Sequence, residues 1–449
     1  MAESEPRTSR VPKPPPGVPV YVPGQKTGEI WAHFASGVSV KAHRDRARSY
    51  PGLRSEAPPT QAFYAALTKL GAGTHVMDVG AGSGSGAQLL SESFDQVTAI
   101  ESDAHAVAFA REVAPLARLV QTDASRPYTA APADFAIVAD VLGHVAHPQA
   151  VLACLRASLR HTATVLVAEP AAYVNQRLRY PVRRAFSPRA LRSVLTCAGY
   201  QVTSTLCETG TFSACLARPV SDAATDALVR GTELVLRGDS AGALEAFARA
   251  AHSPDAGVRA EAELARGLLH LERGQGDAAA RALFLARELD PGDARPLAAL
   301  SRIALLTGSA SDALKLALEA ARLDATEFDA ACAVAIAAET LQHPDAFAAW
   351  RMAHSLSPDD ANVATELARS AAARNDYAFG INALERLRQY RERLDPALHL
   401  TLAWLLLAEG RTRDAALEAR LVSALTPNDP AVVELWAAID QTGTAVGNT

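Results

Sequence analysis

Val76-Met-Asp78-Val-Gly80-Ala-Gly82-Ser-Gly84-Ser-Gly86 is an apolar run that ends in an acid and continues with a glycine at every second position. The run predicts a buried strand over His75–Val79, and residues 85–92 that follow predict a helix. Glycine in the turn between them permits positive φ and lets the backbone approach a ligand where a Cβ would otherwise stand. Strand, glycine turn and helix in that order form a cofactor-binding corner.

Downstream, short apolar runs alternate with helical stretches. Strands are expected at 96–101, 118–123, 134–140 and 164–169, and helices at 103–113, 148–160 and 188–198, the last opened by Ser187-Pro188 as cap and first-turn proline. Residues 201–208 and 212–218 then read as two strands joined by Thr209-Gly210-Thr211, a hairpin signal. This alternation predicts a doubly wound α/β sheet, parallel except for the terminal hairpin, with seven strands. Upstream, 60–70 reads as a helix. Residues 25–57 carry Trp31, Phe34, Tyr50 and the basic run Lys41-Ala-His43-Arg44-Asp-Arg46-Ala-Arg48, which reads equally as a lid over the ligand or a solvated face. Residues 1–24 are a Pro-rich flexible tail.

Beyond 220 the strand pattern stops and the chain becomes Ala- and Leu-rich helix. Gly274, Ala279, Ala286 and Pro291 recur as Gly308, Ala313, Ala320 and Ala325, a period of 34. Gly238, Ala243, Phe247, Ala250 and Pro254 fit the same frame, as do Gly410, Ala415 and Pro427. Ala346, Trp350, Ala353 and Pro358 fit with a one-residue shift, whereas residues 375–387 fit poorly. The skeleton resembles the tetratricopeptide repeat, which implies five or six helical hairpins over 221–440, a capping helix near 431–439, and a solenoid with a concave face that docks a protein partner. Residues 441–449 are expected to form a second flexible tail.

Composition narrows the class. Among 449 residues, 49% hydrophobic and 21% charged is ordinary for a globular protein with a sizeable core. No apolar run is long enough for a membrane span, and the N-terminus does not read as a secretory signal. Cys154, Cys197, Cys207, Cys215 and Cys332 show neither a Cys-x-x-Cys pair nor zinc spacing, so reduced thiols, a cytoplasmic setting and no metal are expected. Residues 1–220 carry 22 Lys and Arg against 16 Asp and Glu, and residues 221–449 carry 22 against 33. The first part suits an anionic substrate, and the acidic remainder argues against nucleic acid.

Two cofactors fit the glycine corner. Gly82-x-Gly84-x-x-Ala87 satisfies a dinucleotide pattern, a weak signal alone. Asp78 at the first strand end, Glu101 at the second and Asp123 at the third instead suit one ligand with an amino acid end, a ribose and an adenine, laid along the carboxyl edge of the sheet. In Asp78-Val-Gly80-Ala-Gly82-Ser-Gly84, Ile100-Glu101-Ser102-Asp103, Gln121-Thr-Asp123-Ala124, Val141-Leu-Gly-His144-Val145-Ala-His-Pro148 and residues 186–200, the chain resembles the class I S-adenosylmethionine-dependent methyltransferases, in their small-molecule, quinone- and sugar-type branch. The resemblance implies S-adenosylmethionine at Asp78, Gly80, Ala81, Gly82, Gly84, Glu101, Ser102, Asp123, Ala124 and Asp140, with the glycines against the methionine end, Glu101 on the ribose and Asp123 on the adenine. One departure stands out: the branch commonly has Glu-His after the fourth strand, and here the pair is Gly143-His144.

Methyl transfer to a hydroxyl needs the acceptor held in line and its proton removed. His144 is the first candidate base, because imidazole ordinarily titrates near neutral pH. Asp140 and Glu169, at the ends of the fourth and fifth strands, come next. Tyr173, Tyr180 and Phe186, interleaved with Arg177, Arg179, Arg183, Arg184, Arg189 and Arg192, read either as a grip for an anionic substrate or as a contact to the acidic repeats. The leading expectation is an O-methyltransferase of a small, anionic, sugar- or carrier-linked metabolite. The alternatives are a non-catalytic scaffold and a protein methyltransferase whose repeats present the target.

Overall fold

The computed structural model describes residues 73–170, 186–209, 212–388, 390 and 394–446. The expected N-terminal tail, the basic run at 41–48, the helix at 60–70 and the arginines at 177–184 lie outside the described residues.

The glycine corner follows β1 (His75–Val79), an inner strand of a sheet completed by β2 (Gln96–Glu101), β3 (Arg118–Gln121), β4 (Ala133–Ala139), β5 (Leu159–Pro170), β6 (Tyr200–Thr209) and β7 (Phe212–Pro219). Their spatial order is β3-β2-β1-β4-β5-β7-β6. β1 to β5 run parallel, and β7 lies antiparallel between β5 and β6. Central parallel strands are covered on both faces, which is why they read as apolar runs. Val76, Phe135, Ile137 and Leu166 pack on one face. Met77, Val79, Ala136, Val138 and Val165 pack on the other.

Helices α1 (Ser85–Leu90), α2 (Ala104–Val113), α3 (Pro148–Arg156) and α4 (Pro188–Cys197) connect the strands. The carboxylate of Asp103 caps α2 by accepting from the N–H groups of His105 and Ala106, and Ser187 caps α4 through the N–H of Ala190. The helix expected over 148–160 ends at Arg156, because Leu159 already pairs with Ala133 as the first residue of β5. β3 ends at Gln121, so Asp123 lies two residues past the strand rather than at its end.

Among the described residues the chain then forms six antiparallel helical hairpins: α5 (Ala223–Leu236) with α6 (Ser240–Ala250), α7 (Ala256–Glu272) with α8 (Gly276–Leu289), α9 (Arg295–Leu306) with α10 (Ala310–Leu323), α11 (Phe328–Thr340) with α12 (Ala346–Leu356), α13 (Ala361–Ala372) with α14 (Tyr377–Leu387), and α15 (Pro396–Ala408) with α16 (Thr412–Leu425). α17 (Pro430–Val446) closes the stack and runs past 440, where the sequence pattern suggested a tail. No described helix is long and apolar enough to cross a membrane.

Every hairpin turns on one residue in the left-handed region: Gly238, Gly274, Gly308, Gln342, Asn375 and Gly410. At each, that residue's N–H bonds the carbonyl three residues back, and the next N–H bonds a carbonyl five back, as in Gln342 to Glu339 at 2.9 Å and His343 to Ala338 at 2.7 Å. This is a Schellman closure, which satisfies helix-end carbonyls. Residues 375–387, which fitted the repeat poorly, thus form a hairpin with the same turn, Asn375 standing for the glycine. Small residues recur where paired helices cross. A Cβ at Gly231 would lie 2.4 Å from the Phe247 ring, and one at Gly267 would lie 2.6 Å from Leu283.

The solenoid is joined to the sheet domain by a hydrogen bond from a paired arginine and by two partly exposed ion pairs. Arg295, on α9, reaches Glu261 on α7 and Asp293, both at 2.7 Å, and donates to Ser193 Oγ on α4 at 2.7 Å. A buried guanidinium is costly unless paired, and removing it would strand two carboxylates at a cost of about 3–5 kcal/mol. Arg156, on α3, bonds Asp226 on α5 at 2.7 Å. Arg189 pairs with Asp290, so one member of the arginine-rich segment serves the contact to the repeats.

Candidate functional site

The strand order reverses between β1 and β4, which opens a crevice at the carboxyl ends of these strands. The glycine turn forms one wall. Gly80 and Ala81 donate to the carbonyl of Ile100 at 2.8 and 3.0 Å, which folds the turn over the end of β2. Gly80, Gly82 and Gly84 all have positive φ, at 76°, 53° and 84°. Their surroundings differ. A Cβ at Gly80 would lie 2.4 Å from Val141 Cγ2, and one at Gly84 would lie 2.7 Å from Ala110 Cβ, whereas at Gly82 it would meet nothing within 4 Å. Gly80 and Gly84 are therefore required by packing, while Gly82 borders open space.

Asp78 is buried within β1, and Ala81 is buried at the turn. Glu101 ties the turn to the second strand. Its Oε2 accepts from the N–H of Gly82 at 2.9 Å, and its Oε1 accepts from the N–H groups of Ser102 and Asp103 at 2.8 and 2.9 Å. Ionised carboxylates accept at about four lone-pair positions, so a ligand hydroxyl can still donate to this one. Asp123, with Ala124 beside it, stands past β3 on the same edge. The N–H and Oγ of Ser125 donate to Asp123 at 2.9 and 2.7 Å and hold its carboxyl below the usual range. The sequence reading missed Ser125, whose Asp-x-Ser spacing is the signal for such a turn.

The opposite wall follows β4. Asp140 is a non-glycine residue with φ of 55°, a conformation that costs on the order of 1–3 kcal/mol and gathers at functional sites. Its Oδ1 lies 2.9 Å from His144 Nε2, with both side chains largely shielded from solvent. A carboxylate only accepts, so Nε2 is the donor in this contact. Asp140 and His144, two separate candidates in the sequence, form one orienter–imidazole pair.

Glu169 takes a different place. It is wholly buried and accepts from the N–H groups of Val141, Leu142 and Gly143 at 2.9, 2.8 and 3.0 Å. Burial, with the nearby Asp140 charge, pushes its carboxyl up to about 8, against the three N–H groups that favour the anion. Both of its oxygens hold the turn that carries His144. Gly143, the departure from the branch pattern, contributes a backbone N–H to that anchor.

Residues 52–205 match a family model described as a methyltransferase domain. The first half of the chain holds a methyltransferase domain. S-adenosylmethionine is the cofactor that this match indicates. No curated protein matches the sequence. Solved structures resembling the chain include a TehB-like S-adenosylmethionine-dependent methyltransferase from Corynebacterium glutamicum, 16% identical, covering 40% of this chain and 96% of its own, with a TM-score of 0.32. The N-methyltransferase NodS of Bradyrhizobium japonicum, solved with S-adenosyl-L-homocysteine, is 15% identical, covers 40% of this chain and 97% of its own, and has a TM-score of 0.34. The pilF protein of Pseudomonas aeruginosa is 17% identical, covers 48% of this chain and 97% of its own, and has a TM-score of 0.40.

Proposed function

We propose that the methyltransferase domain O-methylates a small anionic metabolite, sugar- or carrier-linked, with His144 as the general base. The observation that carries this reading is the Asp140–His144 pair at 2.9 Å, set at the end of β4 across the crevice from the glycine turn. The open space at Gly82 fits the methionine end of the cofactor, with Glu101 on the ribose hydroxyls and Asp123 on the adenine. Asp78, Gly80, Ala81, Gly84, Ser102 and Ala124 complete that wall. When bound, S-adenosylmethionine supplies an electrophilic methyl that carries its own leaving group. The protein holds the acceptor oxygen in line with that methyl, and His144 Nδ1 takes the hydroxyl proton as the new O–C bond forms. Asp140 then stabilises the imidazolium. The repeats dock a protein partner or bring a carrier-bound substrate to the domain, and the reduced thiols suit a cytoplasmic enzyme.

Titration calorimetry with S-adenosylmethionine tests the cofactor half of this reading. Binding is expected, with loss in Asp78→Ala and Glu101→Ala. Incubating the protein with radiolabelled cofactor and a metabolite extract tests the rest: label should enter small molecules, and His144→Ala should abolish transfer while still binding the cofactor. Binding with no transfer to any acceptor would support a scaffold, and label in a polypeptide would support a protein methyltransferase.

A further inference from the structure

We propose that the cleft between the methyltransferase domain and the first repeats is a second binding site, for a small phosphorylated metabolite. This cleft lies at the amino-terminal end of the parallel strands, across the sheet from the glycine turn, where β5 and β6 begin and β7 ends. Its cavity of about 680 Å³ is walled by α4, by the β6–β7 edge and by the starts of α5 and α7. That volume suits a metabolite and exceeds any packing void. Two smaller cavities, of about 380 and 330 Å³, continue from it along α5.

Charge selects the ligand class. Arg192 and Arg218 both line the cleft, with His161 beside them. Among the described residues these guanidiniums bond only neutral oxygens: Arg192 donates to Thr205 Oγ1 at 3.2 Å, and Arg218 donates to Gln201 Oε1 from Nε at 2.9 Å and from one terminal nitrogen at 2.5 Å, which leaves its other terminal nitrogen for a ligand. Planar guanidinium forks match phosphate and carboxylate in a bidentate way, so two without an anion make a poised anion site. Two carboxylates also line the cleft, but both are committed as helix caps. Asp222 accepts from Ala224 and Thr225 N–H at 3.0 Å each, and Asp255 accepts from Gly257 and Val258 N–H at 2.8 and 3.1 Å. Each negative charge thus lies at a positive helix end, which offsets it and leaves the arginines to set the local sign. Val202 and Val258 supply apolar wall for the rest of the molecule. A ligand here touches both domains and would strengthen their contact beside the Arg156 and Arg295 clamps.

The test is thermal unfolding of the full chain titrated with pyrophosphate and with ribose 5-phosphate, at constant ionic strength, with ribose as the uncharged control. Both anions are expected to raise Tm by about 2–4 °C at large excess, and ribose to leave it unchanged. Arg192→Ala/Arg218→Ala should lose the shift, Arg192→Lys/Arg218→Lys should keep part of it, and Glu101→Ala in the cofactor corner should keep all of it. Absence of a shift in the natural protein, an equal shift in the double alanine variant, or loss of the shift in Glu101→Ala would each overturn the proposal. None of these readouts depends on methyl transfer, so failure here leaves the reading of the catalytic corner intact.

Discussion

The glycine corner and the six solenoid turns use the same left-handed backbone for different reasons. At the corner, Gly80 and Gly84 are locked by neighbours that a Cβ would strike at 2.4 and 2.7 Å. At the solenoid turns, a Cβ on Gly238, Gly274, Gly308 or Gly410 would meet nothing within 4 Å. Where only φ is at stake, other residues can stand in, and Gln342 and Asn375 do. A repeat can lose its glycine and keep its turn, because the Schellman hydrogen bonds hold the conformation. A packed corner has no such tolerance. Asp140 is a third kind: strained like Gln342, but placed where the strain aims a carboxylate at His144.

Replacing the strained residues by glycine breaks or sharpens that distinction. Asp140→Gly relieves the backbone yet removes the orienter, so turnover should fall about 100-fold or more while cofactor affinity holds. Steady-state kinetics with calorimetry on the same variant will show the split, and unchanged turnover would remove Asp140 from the mechanism. Gly80→Ala should destabilise the chain by about 2–3 kcal/mol through overpacking against Val141. Gly82→Ala has room and should cost about 1 kcal/mol of stability, with cofactor affinity reduced about tenfold or more because the new methyl occupies ligand space. Denaturant unfolding and cofactor titration separate the two.

The halves should also answer pH in opposite directions. Glu169 is raised to about 8 in the folded domain from an ordinary 4.5, so the native state holds a proton that the unfolded chain has lost. Its contribution falls as pH climbs from about 4.5 to 8, with a slope of about 1.4 kcal/mol per pH unit that Glu169→Gln should remove. His354, in α12, is depressed to about 4 by burial and then by Arg386, so it is neutral when folded. Its contribution is lost as pH falls from about 6.5 to 4, and His354→Gln should flatten that limb. Urea unfolding across pH 4–8, each variant against the natural chain, resolves both slopes. The smallest effect is Gln342→Gly, expected to add about 1 kcal/mol or less of stability with activity unchanged. A destabilised variant would mean that the Gln342 side chain contributes more than its backbone costs.

The legibility of the chain follows these same physical lines. β1 and β2 were readable residue for residue, because central parallel strands are apolar on both faces and end at polar or glycine punctuation. The terminal hairpin and the 34-residue repeat were readable for the same local reasons. The start of β5 was hidden, because Leu159-Arg-His-Thr162 lacks an apolar run and joins the sheet only through pairing with β4. The fifth hairpin was hidden because Asn375 replaces the expected glycine. Asp140, His144 and Glu169 were each legible as carboxyl-edge candidates, but their roles were not. An i,i+4 spacing outside a helix does not specify a contact, and nothing local says that Glu169 turns inward to three N–H groups.

By itself, the sequence determined the order of elements, the doubly wound sheet, the repeat period and the residues of the glycine corner, because periodicity, punctuation and backbone permission are local properties. Tertiary structure decided what long-range contact controls: the pairing of Asp140 with His144, the withdrawal of Glu169 into the loop, the Arg295 clamp between the domains and the cationic cleft beside it. Apart from the Asp140–His144 pair, which the shape of one loop brings together, these join residues on separate elements, some more than a hundred positions apart in the chain, that only the packed fold makes neighbours.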